Sequence, residues 1–190
     1  MNIIVNVDKN WAIGNKGSLL FPISADLKNF RRLTEHRVVI MGRTTLASLP
    51  GGMPLKNRHT IVLSTTLEES QLPFTAENST ITVCRSVAQL QHIMNTPPFS
   101  AFASDDFFVI GGQQVYAQLL PLCSTAYITQ VEKAASAADA FFPNLDADKN
   151  WHRTEKSPVQ KQGELSYYFV QYQKTKQEGV CGVFCADTVL

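Results

Sequence analysis

The first residue placed to do chemistry is a lone carboxylate in apolar company. In Phe21-Pro22-Ile23-Ser24-Ala25-Asp26-Leu27-Lys28-Asn29-Phe30-Arg31-Arg32-Leu33, Ser24 can cap a helix whose first turn holds Asp26. Helical spacing then sets Asp26, Phe30 and Leu33 on one stripe. Two readings follow. A first-turn acid facing solvent complements the helix dipole. A buried acid beside two large apolar groups binds something: it can pair with an amidine-like ring edge, two donors to two oxygens, and its surroundings raise its pKa toward the working range. The helix N-terminus opposes that rise. The chemistry that a buried acid could do makes the second reading attractive, and Asp26 is our candidate acid.

Three other segments carry groups suited to phosphate. Met41-Gly42-Arg43-Thr44-Thr45 offers a glycine for close backbone approach, a fixed positive charge and two hydroxyls. Leu63-Ser64-Thr65-Thr66 is a run of hydroxyl donors, and Val109-Ile110-Gly111-Gly112-Gln113 leads a glycine pair into a helix. Singly these read as a turn, a cap and a packing site. Placed together at one edge of one sheet they would face a single ligand, with a pyrophosphate against the helix that starts after Gly112. The GxGxxG fingerprint is absent and no strand carries an acid placed to hold a ribose 2′-hydroxyl. With Arg43, Ser64, Thr65 and Arg85 nearby, a 2′-phosphate fits better, so NADPH is favoured over NADH.

The elements that must position these residues can be read from periodicity. Apolar, β-branched runs mark strands at Ile3 to Val7, Val38 to Met41, Thr60 to Leu63, Ile81 to Cys84, Phe107 to Ile110, Ala126 to Val131 and Tyr167 to Tyr172. Helical spacing falls at Ala25 to Leu33, Thr44 to Leu49, Val87 to Met94 and Gln113 to Leu120. Alternation of nearly all-apolar strands with helices up to about residue 120 describes an α/β fold, a mostly parallel sheet with helices on both faces. The last two strands have no helix between them, which predicts an antiparallel C-terminal edge hairpin. Residues 175–190 follow a break at Gln177 to Val180 and read as an appendage.

Composition narrows the classes further. A chain of 190 residues can bury a core without staples. Its 17 Lys and Arg against 16 Asp and Glu give no net attraction to nucleic acid or an anionic membrane, so neither is an expected partner. Cys84, Cys123, Cys181 and Cys185 form no CxxC pair, and His36, His59, His92 and His152 are dispersed without ligand spacing, so no metal is expected. There is no GxSxG or Ser-His-Asp pattern. Without a basic leader or about 18 consecutive apolar residues, the expectation is a soluble, cytoplasmic protein.

The ordered segments Val7-Asp8-Lys9-Asn10-Trp11-Ala12-Ile13-Gly14, Leu19-Leu20-Phe21, Ala25-Asp26-Leu27 with Phe30, and Val39-Ile40-Met41-Gly42-Arg43-Thr44-Thr45 resemble the dihydrofolate reductase family. The resemblance continues through Pro54-Leu55-Lys56-Asn57-Arg58, Ile61-Val62-Leu63-Ser64, Val109-Ile110-Gly111-Gly112 with Val115-Tyr116, Tyr127-Ile128-Thr129 and Phe142-Pro143, and so covers about Met1 to Lys174. It implies an eight-stranded, mainly parallel sheet over a 1–174 domain with the 175–190 tail outside it. It also implies reduction of 7,8-dihydrofolate to tetrahydrofolate by NADPH, in support of one-carbon metabolism, by a monomer that binds antifolates.

By that likeness the catalytic set is Asp26, Thr129 and Phe21, with Asp26 holding the pteridine ring and assisting protonation of N5. Substrate would be lined by Ile4, Val5, Asn6, Leu27, Phe30, Leu49, Ile110 and Tyr116, and Arg58 would clamp the glutamyl α-carboxylate. The cofactor would meet Asn6, Ile13, Gly14, Leu19, Gly42, Leu63, Ile110, Gln114 and Tyr116. Its 2′-phosphate would lie among Arg43, Thr44, Ser64, Thr65 and Arg85, and its pyrophosphate among Thr45, Gly112, Gln113 and Val115. Gly111-Gly112 would be joined by a cis peptide, and Ala12 to Leu20 would be a mobile loop over the nicotinamide.

Departures from the family pattern are specific. Asn6 stands where alanine is usual and adds an amide that must find a partner. Phe21 replaces the commoner tryptophan, Ser24 replaces a proline, and Pro50-Gly51-Gly52-Met53 lacks a basic residue for the tail. Two rivals are a reductase of riboflavin synthesis, which acts on a ribosylated pyrimidine, and a non-catalytic pterin- or nucleotide-binding protein. Asp26 in its Ala-Asp-Leu context and Arg58 argue against the first, and the acid, threonine and glycines together argue against the second.

Overall fold

The computed structural model describes residues 1–72 and 78–175; the tail expected at 175–190 therefore lies outside the described residues after Thr175. Six parallel strands form the body of the sheet: β1 (Asn2–Val7), β4 (Val38–Gly42), β5 (His59–Leu63), β6 (Thr80–Cys84), β7 (Phe107–Gly111) and β8 (Thr125–Val131). Between them in sequence come two short strands, β2 (Ala12–Asn15) and β3 (Ser18–Leu19). Four more follow β8: β9 (Ala140–Phe141), β10 (Trp151–Lys156), β11 (Gln160–Gln162) and β12 (Leu165–Lys174). The main sheet runs β10-β12-β8-β1-β7-β4-β5-β6, with β11 also paired to β12.

The apolar strand runs have their expected consequence. Along β4, Val38 and Ile40 belong to the core on one face of the sheet and Val39 and Met41 to the core on the other, all without exposed surface. Period-two alternation of side chains requires this when both faces are covered. α3 (Val87–Met94) and α4 (Gln113–Leu119) pack on the first face through Leu90, Val115 and Leu119, and α2 (Arg43–Ser48) packs on the second through Leu46. Burying each large aliphatic side chain contributes about 1.5–3 kcal/mol, so the strand centres are held firmly and the loops at their ends are free to carry function.

The sheet is mostly parallel as expected, and among the described residues its continuous path runs through eight strands, with the short β11 added on β12 as a ninth. Two expectations need correction. The antiparallel pair expected near the C-terminus is present as β8 and β12, but β10 extends the sheet beyond it. β10 is exposed everywhere except Trp151, so its polar sequence carries no apolar alternation to betray a strand. Ser24 does not cap α1 (Ser24–Thr34): it is the first helical residue, and Ile23, whose side chain has no acceptor, takes the cap position. The Ser24 N–H instead donates to Oε1 of Gln162, 2.8 Å away on β11, while Gln162 Nε2 donates to the Pro22 carbonyl.

The segment expected to be a loop from Ala12 to Leu20 is a hairpin. β2 and β3 are joined by Lys16 and Gly17, both at positive φ (50° and 77°), the backbone of a type I′ turn. β9 pairs with the other edge of β2. At its base Asp8 is buried and accepts hydrogen bonds from the N–H groups of Asn10, Ala12 and Ala135, which pins the chain as it leaves β1.

Candidate active site

The strand order places β7, β4, β5 and β6 side by side, so their carboxyl ends meet at one edge. Gly42 is in register with Leu63 and Leu63 with Cys84, while Met41 pairs with Gly111 across an irregularity. The three segments singled out in the sequence thus do converge. They form one end of a cleft of about 1490 Å³ that continues along β1 and α1 and under the β2–β3 hairpin.

At the far end of the cleft the first turn of α1 presents Asp26, 8% exposed. Its Oδ1 accepts a 2.6 Å hydrogen bond from the Thr129 hydroxyl on β8, and its Oδ2 accepts one of 3.2 Å from the Asn6 amide on β1. Burial pushes the Asp26 carboxyl above its usual range, and the bonds from Thr129 and Asn6 offset part of that rise. Asn6 also donates to the Phe21 carbonyl at 3.2 Å, so the amide that departs from the family pattern finds two partners. Beside the acid, the Tyr116 phenol donates to the Ile4 carbonyl at 2.8 Å; burial, and then the Asp26 charge, push its pKa up and keep it a neutral donor.

Further along α1, Arg58 is buried with its guanidinium 5.8 Å from the centre of the Phe30 ring. Its Nε donates to Thr34 Oγ1 at 2.9 Å and one terminal nitrogen to the Lys56 carbonyl at 2.6 Å. Among the described residues no carboxylate comes within ion-pair distance of it. Burial lowers its pKa, with the nearby Glu35 charge working the other way. It remains a desolvated cation lining the cleft, with donor capacity to spare.

At the strand-end side the glycines leave room that a side chain would take. A Cβ on Gly42 would come within 3.2 Å of Val115 Cγ2, one on Gly112 within 3.3 Å of Thr45 Oγ1, and one on Gly111, at φ 122°, within 3.2 Å of the Tyr116 ring. The Gly111-Gly112 peptide is cis. Ser64 Oγ accepts from the N–H groups of Thr66 and Leu67, which leaves its own proton free to donate. Arg85 donates to the Ser64 carbonyl and pairs with Glu68 at 3.4 Å, whereas Arg43 is exposed and has no ion pair among the described residues.

Of the residues assigned to acid chemistry, substrate or cofactor, only Phe21 and Thr129 do not line the cleft. Thr129 lies behind Asp26 and acts on it alone, while the Phe21 ring packs toward Ile23, Val131 and Tyr167 and contributes its carbonyl. Leu33, on the expected stripe, is also absent, and Leu27 lines the cleft instead. Sequence reasoning missed Asp139 and Ala140, which reach the cleft because β9 pairs with β2 and which no local pattern signals. Gln113 spends its side chain on the same junction, accepting from the Phe141 N–H at 2.7 Å.

Comparison with known proteins agrees with this geometry. The dihydrofolate reductase family matches residues 1–174. A type A13 dihydrofolate reductase from Escherichia coli is 36% identical over 145 residues, 76% of this chain and 78% of that protein. The dihydrofolate reductase of Bacillus subtilis is 28% identical over 176 residues, 92% of this chain and 94% of its own length. That of Drosophila melanogaster is 33% identical over 154 residues, covering 76% and 79%. With its nine-stranded sheet, its buried acid on α1 and its cluster of strand-end glycines, this chain belongs to the dihydrofolate reductase family.

Proposed function

We infer that the chain reduces 7,8-dihydrofolate to 5,6,7,8-tetrahydrofolate with NADPH, the reaction that feeds thymidylate and purine synthesis. The observation that carries this reading is Asp26, buried at one end of a cleft with a donor on each oxygen, while the strand-end glycines and Arg43 open the other end. NADPH, when bound, supplies the hydride. Asp26 holds the pteridine and assists the proton to N5, and Thr129 fixes the orientation of the carboxyl. Ile4, Val5, Leu27, Phe30 and Leu49 give the pterin and its aryl tail an apolar lining that excludes water. Arg58 takes the α-carboxylate of the tail.

The residues present suit the cofactor. Arg43 and the free Ser64 proton are the donor set for a 2′-phosphate, with Thr44, Thr65 and Arg85 around it. Gly42, Gly111 and Gly112 pack too closely on Val115, Tyr116 and Thr45 to carry a Cβ, and that close packing sets the strand-end backbone along the cleft where the pyrophosphate would lie. The β2–β3 hairpin, through Ile13, Gly14 and Leu19, covers the nicotinamide end. Residues 1–174 form the working unit, which acts as a monomer in the cytoplasm on small molecules, antifolates among its ligands, and without nucleic acid. No helix among the described residues is long and apolar enough to cross a membrane.

The deciding experiment is the fall in absorbance at 340 nm when purified protein meets NADPH and dihydrofolate, with NADH as the control. Rapid oxidation of NADPH is expected, and tight NADPH binding without turnover would instead favour the non-catalytic alternative. The cofactor assignment has its own check. Arg43→Ala is expected to raise the Kd for NADPH about tenfold, the size of one lost charge-assisted contact, and to leave NADH within about twofold. Fluorescence titration reads both, and equal losses would remove the role of Arg43 at the 2′-phosphate.

A further inference from the structure

Asn6 and Thr129 are register partners on adjacent parallel strands, β1 and β8. Both side chains point to the same carboxyl, one donating to each oxygen of Asp26. Phe21, at the entrance to α1, offers no side-chain donor, so among the described residues Asn6 and Thr129 are the two side chains that hydrogen-bond to Asp26. The Asn6 amide spans from β1 to both Asp26 and the Phe21 carbonyl, and so also ties α1 to the sheet next to the acid.

Building on the reductase reading, we propose that Asn6 is a positioning residue: it fixes the Oδ2 side of Asp26 and sets the pH range over which the carboxyl can deliver its proton. A donor to a carboxylate favours the ionised form, whereas burial favours the neutral one, and the balance decides where the acid titrates. Few other groups enter that balance. From α4 the ionisable group that senses Asp26 is the Tyr116 phenol, which is neutral and occupied with the Ile4 carbonyl. From β1 and β8 the facing groups are the uncharged Asn6 and Thr129. On the helix itself Arg31 pairs with Glu35 one turn apart, and Arg58 binds Thr34 at the far end. Removing the Asn6 donor therefore acts on Asp26 without a second charge to compensate.

Two measurements test this. The rate of NADPH oxidation in single turnover, followed from about pH 5 to about pH 9, falls as the acid loses its proton. In Asn6→Ala the midpoint of that fall is expected to rise by about half to one pH unit. Asn6→Asp, nearly the same shape but anionic, is expected to raise it further, because two carboxylates sharing a site resist joint ionisation. The second measurement is the carbon-13 NMR titration of the Asp26 carboxyl in the protein without ligands, which should move in the same direction. An unmoved or lowered Asp26 midpoint in Asn6→Ala overturns the proposal, including the case where the rate drops equally at every pH. The NMR titration requires no turnover, so it stands apart from the reductase reading, which fails instead if the parent protein does not oxidise NADPH.

Discussion

Replacing Asp26 by asparagine is expected to lower turnover of dihydrofolate by about 10²- to 10⁴-fold, the usual span for loss of a general acid. The amide keeps the size of the side chain and can still accept from Thr129, so cleft shape and NADPH affinity should change little. The pH dependence distinguishes lost acid chemistry from lost packing. Burial holds the parent's Asp26 protonated to higher pH than an ordinary carboxyl, and its contribution is present below that raised pKa and lost as pH rises through it. In strong acid, solvent can protonate N5 without help. The deficit of Asp26→Asn should thus be widest in the window between strong acid and the raised pKa of Asp26 and narrow on either side of it, as measured by steady-state rates with NADPH saturating. A deficit that is flat across pH would mean that Asp26 serves only to hold the ring.

How much of this site was open to reading along the chain depends on the distance over which each part acts. Asp26 and Phe30 declare themselves within one helical turn, and the strand-end segments at Gly42, Ser64 and Gly112 lie beside apolar runs that can only be strands. Their convergence then follows from the parallel order of β7, β4 and β5. Thr129 is different. It sits 103 positions from Asp26, and nothing in Tyr127-Ile128-Thr129 distinguishes it from any other buried strand threonine. Its role came from the family resemblance, and its geometry from the pairing of β8 with β1. Asn6 shows the reverse situation: the sequence posed the problem of an amide beside the pterin pocket, and only the folded chain supplies the acceptors.

The misreadings have a common cause, which is contact between segments far apart in sequence. Ser24 has the residue type of a helix cap, yet Gln162 arrives from β11 to satisfy its N–H, so α1 begins without one. Ala12 to Leu20, a loop by the family resemblance, folds as a hairpin to which β9 adds a third strand. That arrangement brings Asp139 to the hairpin, where its Oδ2 accepts from the Lys16 N–H at 2.8 Å and so braces the turn above the cleft. β10 was invisible because an exposed edge strand needs no apolar face. None of these contacts alters the strand centres, and this is why the sheet could be anticipated while its margins could not.

Arg58→Leu is expected to raise KM for dihydrofolate by about 100-fold while kcat stays within about threefold. Removing a desolvated charge from a hydrogen-bonded ion pair costs several kcal/mol of binding, and a contact made equally in ground and transition states appears in KM. The structure gives the reason to place that energy here. Arg58 is buried at the cost of its hydration, its protein partners are a hydroxyl and carbonyls, and no described carboxylate pairs with it. Such a cation is favourable only when an anion completes its shell. Leucine fills similar apolar space beside Phe30, so the variant should melt at or above the parent temperature, which separates lost binding from lost folding. A dihydropterin without the glutamyl tail is the control: it should be reduced equally by parent and variant. If the variant loses the tailless substrate as well, Arg58 shapes the pterin end of the cleft and the anion it holds lies elsewhere.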